Sequence, residues 1–234
     1  MDPLLPRAGA SPEGPRAAAL RLAPAPTGAA RAVDVPCGTG LLAVRLAEAG
    51  WRVRGLDLDP EPARRAGVDA VRADMEGPLP LEDGSAELVT CVEGIEHVEA
   101  QAAFVRECAR VLAPGGRLVL TTPNVLGRPS RTSMARHGYA RFFRPRPRGA
   151  PLPYEHEHRH PIDAVRLDHL LGEAGLVVEA WDGDRGPDGS PSLRERLARR
   201  LAAPRLRRHN ARADLLLDPA IFHSRIVALR ARKA

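Results

Sequence analysis

Arg31-Ala32-Val33-Asp34-Val35-Pro36-Cys37-Gly38-Thr39-Gly40 decides the fold of this 234-residue chain. The apolar run Ala32–Val35 reads as a short strand, and it meets a Gly-rich turn. Gly40–Ala49 then places Leu41, Leu42, Val44 and Leu46 at helical spacing and stops at Gly50. Working outward, Trp51–Leu56 predicts a second strand ending at Asp57, and Pro60 opens a short helix, where a first-turn proline is tolerated. Asp69–Ala73 reads as a third strand and Glu87–Val92 as a fourth. Gln101–Leu112 is an amphipathic helix with Phe104, Cys108, Val111 and Leu112 on one face. Pro114-Gly115-Gly116 ends it, and Arg117–Thr122 is a fifth strand. Such alternation predicts an α/β, Rossmann-like architecture: a mostly parallel sheet with helices on both faces.

The rhythm breaks on either side of this core. Residues 1–30 are Pro- and Ala-rich and read as a lead-in with one short helix around Arg16–Leu22. Residues 125–154 hold seven Arg, five Pro and no acid, and predict a long loop or lid. A helix at Ile162–Ala174 and a strand at Leu176–Trp181 resume the pattern, and Phe222–Leu229 reads as a closing strand. The expected organisation is a single domain over 31–234 with insertions near 125–160 and 184–218.

Composition narrows the class. Aromatic residues make up only 3%, so the core must be aliphatic. No apolar run approaches the roughly 20 residues of a membrane span. The N-terminus also lacks the charged start and apolar stretch of a signal peptide. Cys37, Cys91 and Cys108 are odd in number and scattered, which argues against a disulfide framework. A cytoplasmic protein with small core cysteines is the expectation. The formal charge of +6 is unevenly placed. Residues 1–127 carry 13 Arg against 17 acids, and residues 128–234 carry 22 basic residues against 12 acids. The excess belongs to the two Arg-rich insertions, so nucleic acid is the less favoured partner. Codon bias toward arginine fits the same composition, with Lys233 the only lysine.

Ligands of open α/β sheets sit beyond the carboxyl ends of the strands, at the topological switch point. A dinucleotide fingerprint would need Gly at 36, 38 and 41, where the chain has Pro36, Gly38 and Leu41. Three acids mark successive strand ends instead. Asp34 suits an ammonium group, Asp57 a pair of ribose hydroxyls and Asp74 an adenine amino group. Each alone fits a turn-capping role equally well. Together, beside the Gly-rich turn, they predict a nucleoside ligand carrying positive charge.

The order Val33–Gly40, Gly55-Leu56-Asp57 and Ala73-Asp74-Met75 resembles the class I S-adenosylmethionine-dependent methyltransferases. Glu93-Gly94-Ile95-Glu96-His97-Val98, Arg110–Gly116 and Thr121-Thr122-Pro123-Asn124 continue the likeness, which runs from Val33 to Asn124 and more thinly to Leu176. The resemblance implies a seven-stranded sheet with one antiparallel strand, S-adenosylmethionine as cofactor and a small-molecule acceptor. It places Asp34, Gly38 and Gly40 around the methionine moiety, Asp57 on the ribose, and Asp74 with Met75 on the adenine, and it counts Cys37 and Glu93 among the cofactor-binding residues. Pro36 departs from the family, which more often has Gly there.

Glu93, Glu96 and His97 fall on one helical turn. The ubiquinone-pathway O-methyltransferases and small-RNA 2′-O-methyltransferases resemble this Glu-x-x-Glu-His pattern and use it to hold Mg²⁺. On that likeness Glu93, Glu96, His97 and His160, in Glu155-His156-Glu157-His158-Arg159-His160-Pro161, form an expected metal face. The same residues fit a metal-free pocket in which His97, assisted by Glu96, is the general base. The leading expectation is methyl transfer to a hydroxyl of a small molecule. A metal-dependent RNA 2′-O-methyltransferase and a non-catalytic methyltransferase-like binding domain are the alternatives.

Overall fold

Strand β1 (Arg31–Asp34) buries Ala32, Val33 and Asp34, as a central parallel strand covered on both faces must. In the computed structural model, which describes residues 13–145, 158–184, 192–209 and 211–234, six further strands flank it. They are β2 (Arg52–Asp57), β3 (Asp69–Arg72), β4 (Ala86–Val92), β5 (Leu112–Pro123), β6 (Leu176–Gly183) and β7 (Ile226–Lys233). The sheet order is β3-β2-β1-β4-β5-β7-β6. Every pair from β3 to β5 is parallel, and β7 runs antiparallel to both β5 and β6. This is the expected Rossmann-like sheet with one antiparallel strand. Its order reverses between β1 and β4, which puts the switch point at the Gly-rich turn.

The helices are α1 (Glu13–Leu22), α2 (Leu41–Glu48), α3 (Glu61–Arg65), α4 (Gln101–Val111), α5 (Arg128–His137), α6 (Ala164–Glu173), α7 (Leu193–His209), α8 (Ala213–Leu216) and α9 (Pro219–His223). Alternate residues of the inner strands feed opposite faces of the sheet. Val89, Leu118 and Leu120 meet Phe104, Val105 and Cys108 of α4 and Leu167 and Leu171 of α6. Leu88 and Val119 meet Ala18, Ala19 and Leu22 of α1 and Leu42 and Leu46 of α2 on the other face. Each fully buried Leu or Phe contributes roughly 1.5–3 kcal/mol.

Two segments depart from the sequence reading. The closing strand begins at Ile226 rather than Phe222, because Asp218 accepts the Ala220 N–H at 2.8 Å and caps the short helix containing Phe222. Part of the expected 125–154 loop is helical: α5 opens with Pro129 in its first turn and stops at Gly138. The short helix expected around Arg16–Leu22 is present as α1, and its Ala18 and Ala19 are wholly buried against the sheet.

Candidate cofactor and catalytic site

The turn between β1 and α2 is shaped by its own backbone. The Cys37 N–H donates to Leu56 O, Gly38 N–H to Asp57 Oδ2 (2.8 Å) and Gly40 N–H to Cys37 O. These amides are engaged inside the protein, so the turn is not a phosphate cradle. Gly40 has φ +79°, and a Cβ there would lie 2.9 Å from Val68 Cγ2, so only glycine fits. Pro36 is accommodated by a second glycine: a Cβ at Gly94 would collide with Pro36 Cδ.

Above the turn opens a cavity of about 650 Å³, the size range of nucleoside-cofactor sites. Asp34, Cys37, Gly38, Asp57, Met75, Glu93 and His97 line it. Arg16 of α1 lines it as well, a residue that no motif marked. Gly40 and Asp74 do not. Asp74 is exposed and accepts the Glu76 N–H at 2.9 Å, which is a turn-capping role. Ala73 and Met75 on either side of it reach the cavity.

The acids here are held away from water. Asp34 is 1% exposed and accepts the Thr90 hydroxyl at 2.7 Å. Burial pushes its carboxyl up to about 7 against the Thr90 hydrogen bond, with Asp57 adding to the rise. Glu93 follows β4 with φ +51°, a left-handed conformation costing about 1–2 kcal/mol in a residue with a Cβ. Such strain collects at functional sites. Burial raises Glu93 to about 7 as well, opposed by the hydroxyl of Thr121 at 3.2 Å and reinforced by Asp184. Burial and the two neighbouring carboxylates, Asp34 and Asp57, push the Cys37 thiol up to about 12, so it is not a nucleophile. Cys91 and Cys108 are free and buried in the core, as expected.

Glu96 and His97 lie on a single 3₁₀ turn, Ile95–His97. Glu96 is completely buried, accepts the Thr122 hydroxyl at 3.0 Å, and leaves Oε1 with no hydrogen-bond partner among the described residues. Burial, then the Glu93 charge, raises its pKa. Burial, Arg159 and His160 lower that of His97, which favours the neutral imidazole. The side chains converging here are Glu96, His97 and His158, whose candidate ligand atoms all lie within 4.8 Å of one another. The expected set of Glu93, Glu96, His97 and His160 is therefore not the one the fold assembles. Glu93 is tied to Thr121, and a bend at His160 is fixed by its N–H on Glu96 O at 3.0 Å. That bend ends any period-two alternation, and the converging histidine falls two residues earlier. His156 lies outside the described residues.

Aromatic rings from the Arg-rich segment cover this end of the site. Phe143 and Phe142 lie 5.7 and 6.4 Å from the His158 ring, which meets His97 edge-on at 5.2 Å. Asn124 serves the scaffold: its side-chain amide donates to Ile221 O and Ser224 O. The Thr121-Thr122 pair was visible in the sequence only as part of a motif, and its hydroxyls hold Glu93 and Glu96.

Residues 33–120 match the methyltransferase domain family. The ubiquinone biosynthesis O-methyltransferase of Ralstonia nicotianae is 34% identical over 142 residues, covering 52% of this chain and 60% of that protein. The enzyme of the same name from Xanthomonas oryzae pv. oryzae is 42% identical over 104 residues, covering 41% of this chain and 44% of its own. Over residues 33–120 the chain is therefore similar to methyltransferase domains. The chain spans about half the length of the curated relatives it matches. An S-adenosylmethionine-dependent methyltransferase structure from Mesorhizobium loti superposes on the methyltransferase domain and its flanks with a TM-score of 0.61. It covers 96% of this chain and 100% of its own at 20% identity, which establishes the shared fold. No helix among the described residues is long and apolar enough to cross a membrane.

Proposed function

We propose that the protein transfers a methyl group from S-adenosylmethionine to a hydroxyl of a small acceptor molecule. One observation carries this reading. The cavity at the switch point is lined by the carboxylates of Asp34, Asp57, Asp59 and Glu93, with Arg16 the one arginine lining it among the described residues. That balance suits a ligand bearing a sulfonium and an ammonium, and opposes a pyrophosphate. In this reading Asp57 receives the ribose hydroxyls, Met75 packs on the adenine, Asp34 faces the ammonium and Arg16 the carboxylate. The O-methyltransferase name of the relatives supports oxygen as the acceptor atom.

His97 is the proposed base. Its lowered pKa keeps a lone pair available near neutral pH. The acceptor oxygen forms its bond to the methyl carbon as the carbon–sulfur bond breaks, the hydroxyl proton passes to His97, and the sulfonium becomes a neutral thioether. Phe142 and Phe143 exclude water from this end, and most of the acceleration is proximity and alignment.

The Glu96–His97–His158 group also fits a divalent ion, because Glu96 Oε1 is buried without a hydrogen-bond partner beside two imidazoles. One carboxylate and two imidazoles suit a transition ion better than Mg²⁺. When bound, such an ion supplies Lewis acidity toward the acceptor hydroxyl. The cofactor reading is tested by thermal shift. A ligand at 100 times its Kd adds about 2.7 kcal/mol of stability. S-adenosylhomocysteine should raise the Tm of the native protein, and Asp57→Ala should abolish most of the shift. An undiminished shift in that variant would remove Asp57 from the ribose site.

A further inference from the structure

Helix α7 (Leu193–His209) joins β6 to the closing elements and plays no part in the methyl-transfer site. Its sequence, Leu-Arg-Glu-Arg-Leu-Ala-Arg-Arg-Leu-Ala-Ala-Pro-Arg-Leu-Arg-Arg-His, holds seven arginines and one acid. Its inner face is short. Ala198, Arg199, Ala202, Ala203 and Leu206 are half-buried, the helix packs against α8, and Arg199 donates to Leu217 O at 3.0 Å.

Leu193, Leu197 and Leu201 are 82, 55 and 73% exposed. At 100° per residue they form one ridge, about 12 Å long, directed away from the body of the protein. Arg194 and Arg205 flank it on one side, and Arg196, Arg200 and Arg207 on the other, with Arg208 at its C-terminal end. Three large apolar side chains facing outward between two rows of guanidinium groups are not a solvated helix face. Such a face would carry its charges where the leucines stand.

We propose that α7 is an interfacial helix that lies on an anionic lipid surface. Its leucine ridge enters the acyl boundary, and its flanking arginines hold the lipid phosphates. The geometry suits both halves of that interface at once. Arginine stems lie along apolar surface while their head groups stay at phosphate level, so rows on both sides of a ridge anchor it without being buried. Charge complementarity favours an anionic leaflet. A second copy of the chain is a poor occupant, because the six arginines around the ridge would meet six like charges. RNA would satisfy the arginines and leave the leucines in water, and α7 has no Phe, Tyr or Trp on which a base could stack.

Co-sedimentation of the full chain with vesicles tests this. The native protein should pellet with phosphatidylcholine vesicles containing phosphatidylglycerol, much less with phosphatidylcholine alone, and progressively less as salt rises. Replacing Leu193, Leu197 and Leu201 together by Ser should weaken vesicle affinity about tenfold or more without lowering the Tm, since the ridge packs on nothing. Replacing Arg194, Arg200, Arg205 and Arg208 by Gln should remove the preference for anionic vesicles. In Leu197→Trp, adding those vesicles should blue-shift the emission of the new indole. The proposal is overturned if the native chain fails to pellet, or if the leucine variant pellets undiminished. A ridge-dependent dimer without vesicle binding, or tight binding to single-stranded RNA that leaves vesicles unbound, overturns it too.

Discussion

Asp34 and Thr90 face each other across β1 and β4, and that pairing keeps a carboxylate tolerable inside the sheet. The Thr90 hydroxyl satisfies one oxygen, and the other is left for the cavity. Asparagine at 34 keeps an acceptor for Thr90 and loses the charge. Asp34→Asn is therefore expected to leave the fold intact and to weaken S-adenosylmethionine binding by about tenfold, the worth of a hydrogen bond to a charged group. Calorimetric titration measures this directly, and an unchanged affinity would mean that the ammonium does not meet Asp34. Asp57 and Asp74 show the limit of reading residues singly. Asp57 ends β2 and Asp74 lies two residues past β3, and both accept a backbone N–H two residues on, yet only Asp57 also lines the cavity.

At the scale of elements, α1 is the one whose role the chain's composition concealed. Its alanines allow close approach to the sheet: Ala18 and Ala19 are fully buried beside Leu88, Val119 and Ala228. Its Arg16 reaches the cavity, and its Arg21 pairs with Asp182 at 2.8 Å. Removing residues 1–22 would expose one face of the central strands and delete Arg16 from the cavity lining. The expected result is a Tm lower by about 10 °C or more, from a loss of several kcal/mol at roughly 2–4 °C each, together with a lost response to S-adenosylhomocysteine. A truncated chain that melts and binds like the native one would refute both roles. Arg16→Ala separates them, since it should weaken binding and leave the Tm of the ligand-free protein near its native value.

For the whole molecule, the buried acids make stability depend on pH. The folded chain holds the Asp34 proton up to about pH 7, and the unfolded chain releases it near the ordinary 3.8. Its contribution is fully present below about pH 4 and is lost as pH rises through 7. The loss amounts to about 4 kcal/mol for a shift of this size. The ligand-free protein should therefore melt at progressively lower temperature from pH 5 to pH 8, and Asp34→Asn should flatten that slope. Parallel slopes in the two proteins would assign the dependence elsewhere. The fold accepts this cost in the half of the chain that carries the acids, while the arginine excess lies beyond residue 127.

The sequence by itself determined the βα rhythm from Val33 onward, the glycines of the first turn and the acids at the strand ends. These follow from local turn chemistry and from periodicities of 2 and 3.6 residues, which any short window contains. Only the tertiary structure decided that His158 rather than His160 joins Glu96 and His97, and that Arg16 lines the cavity while Asp74 does not. It also decided that Thr121 and Thr122 hold the two glutamates, and that the α7 leucines point outward. Each of these depends on where a distant backbone atom lies, as when Glu96 O captures the His160 N–H. No local pattern encodes the meeting of residues about sixty positions apart.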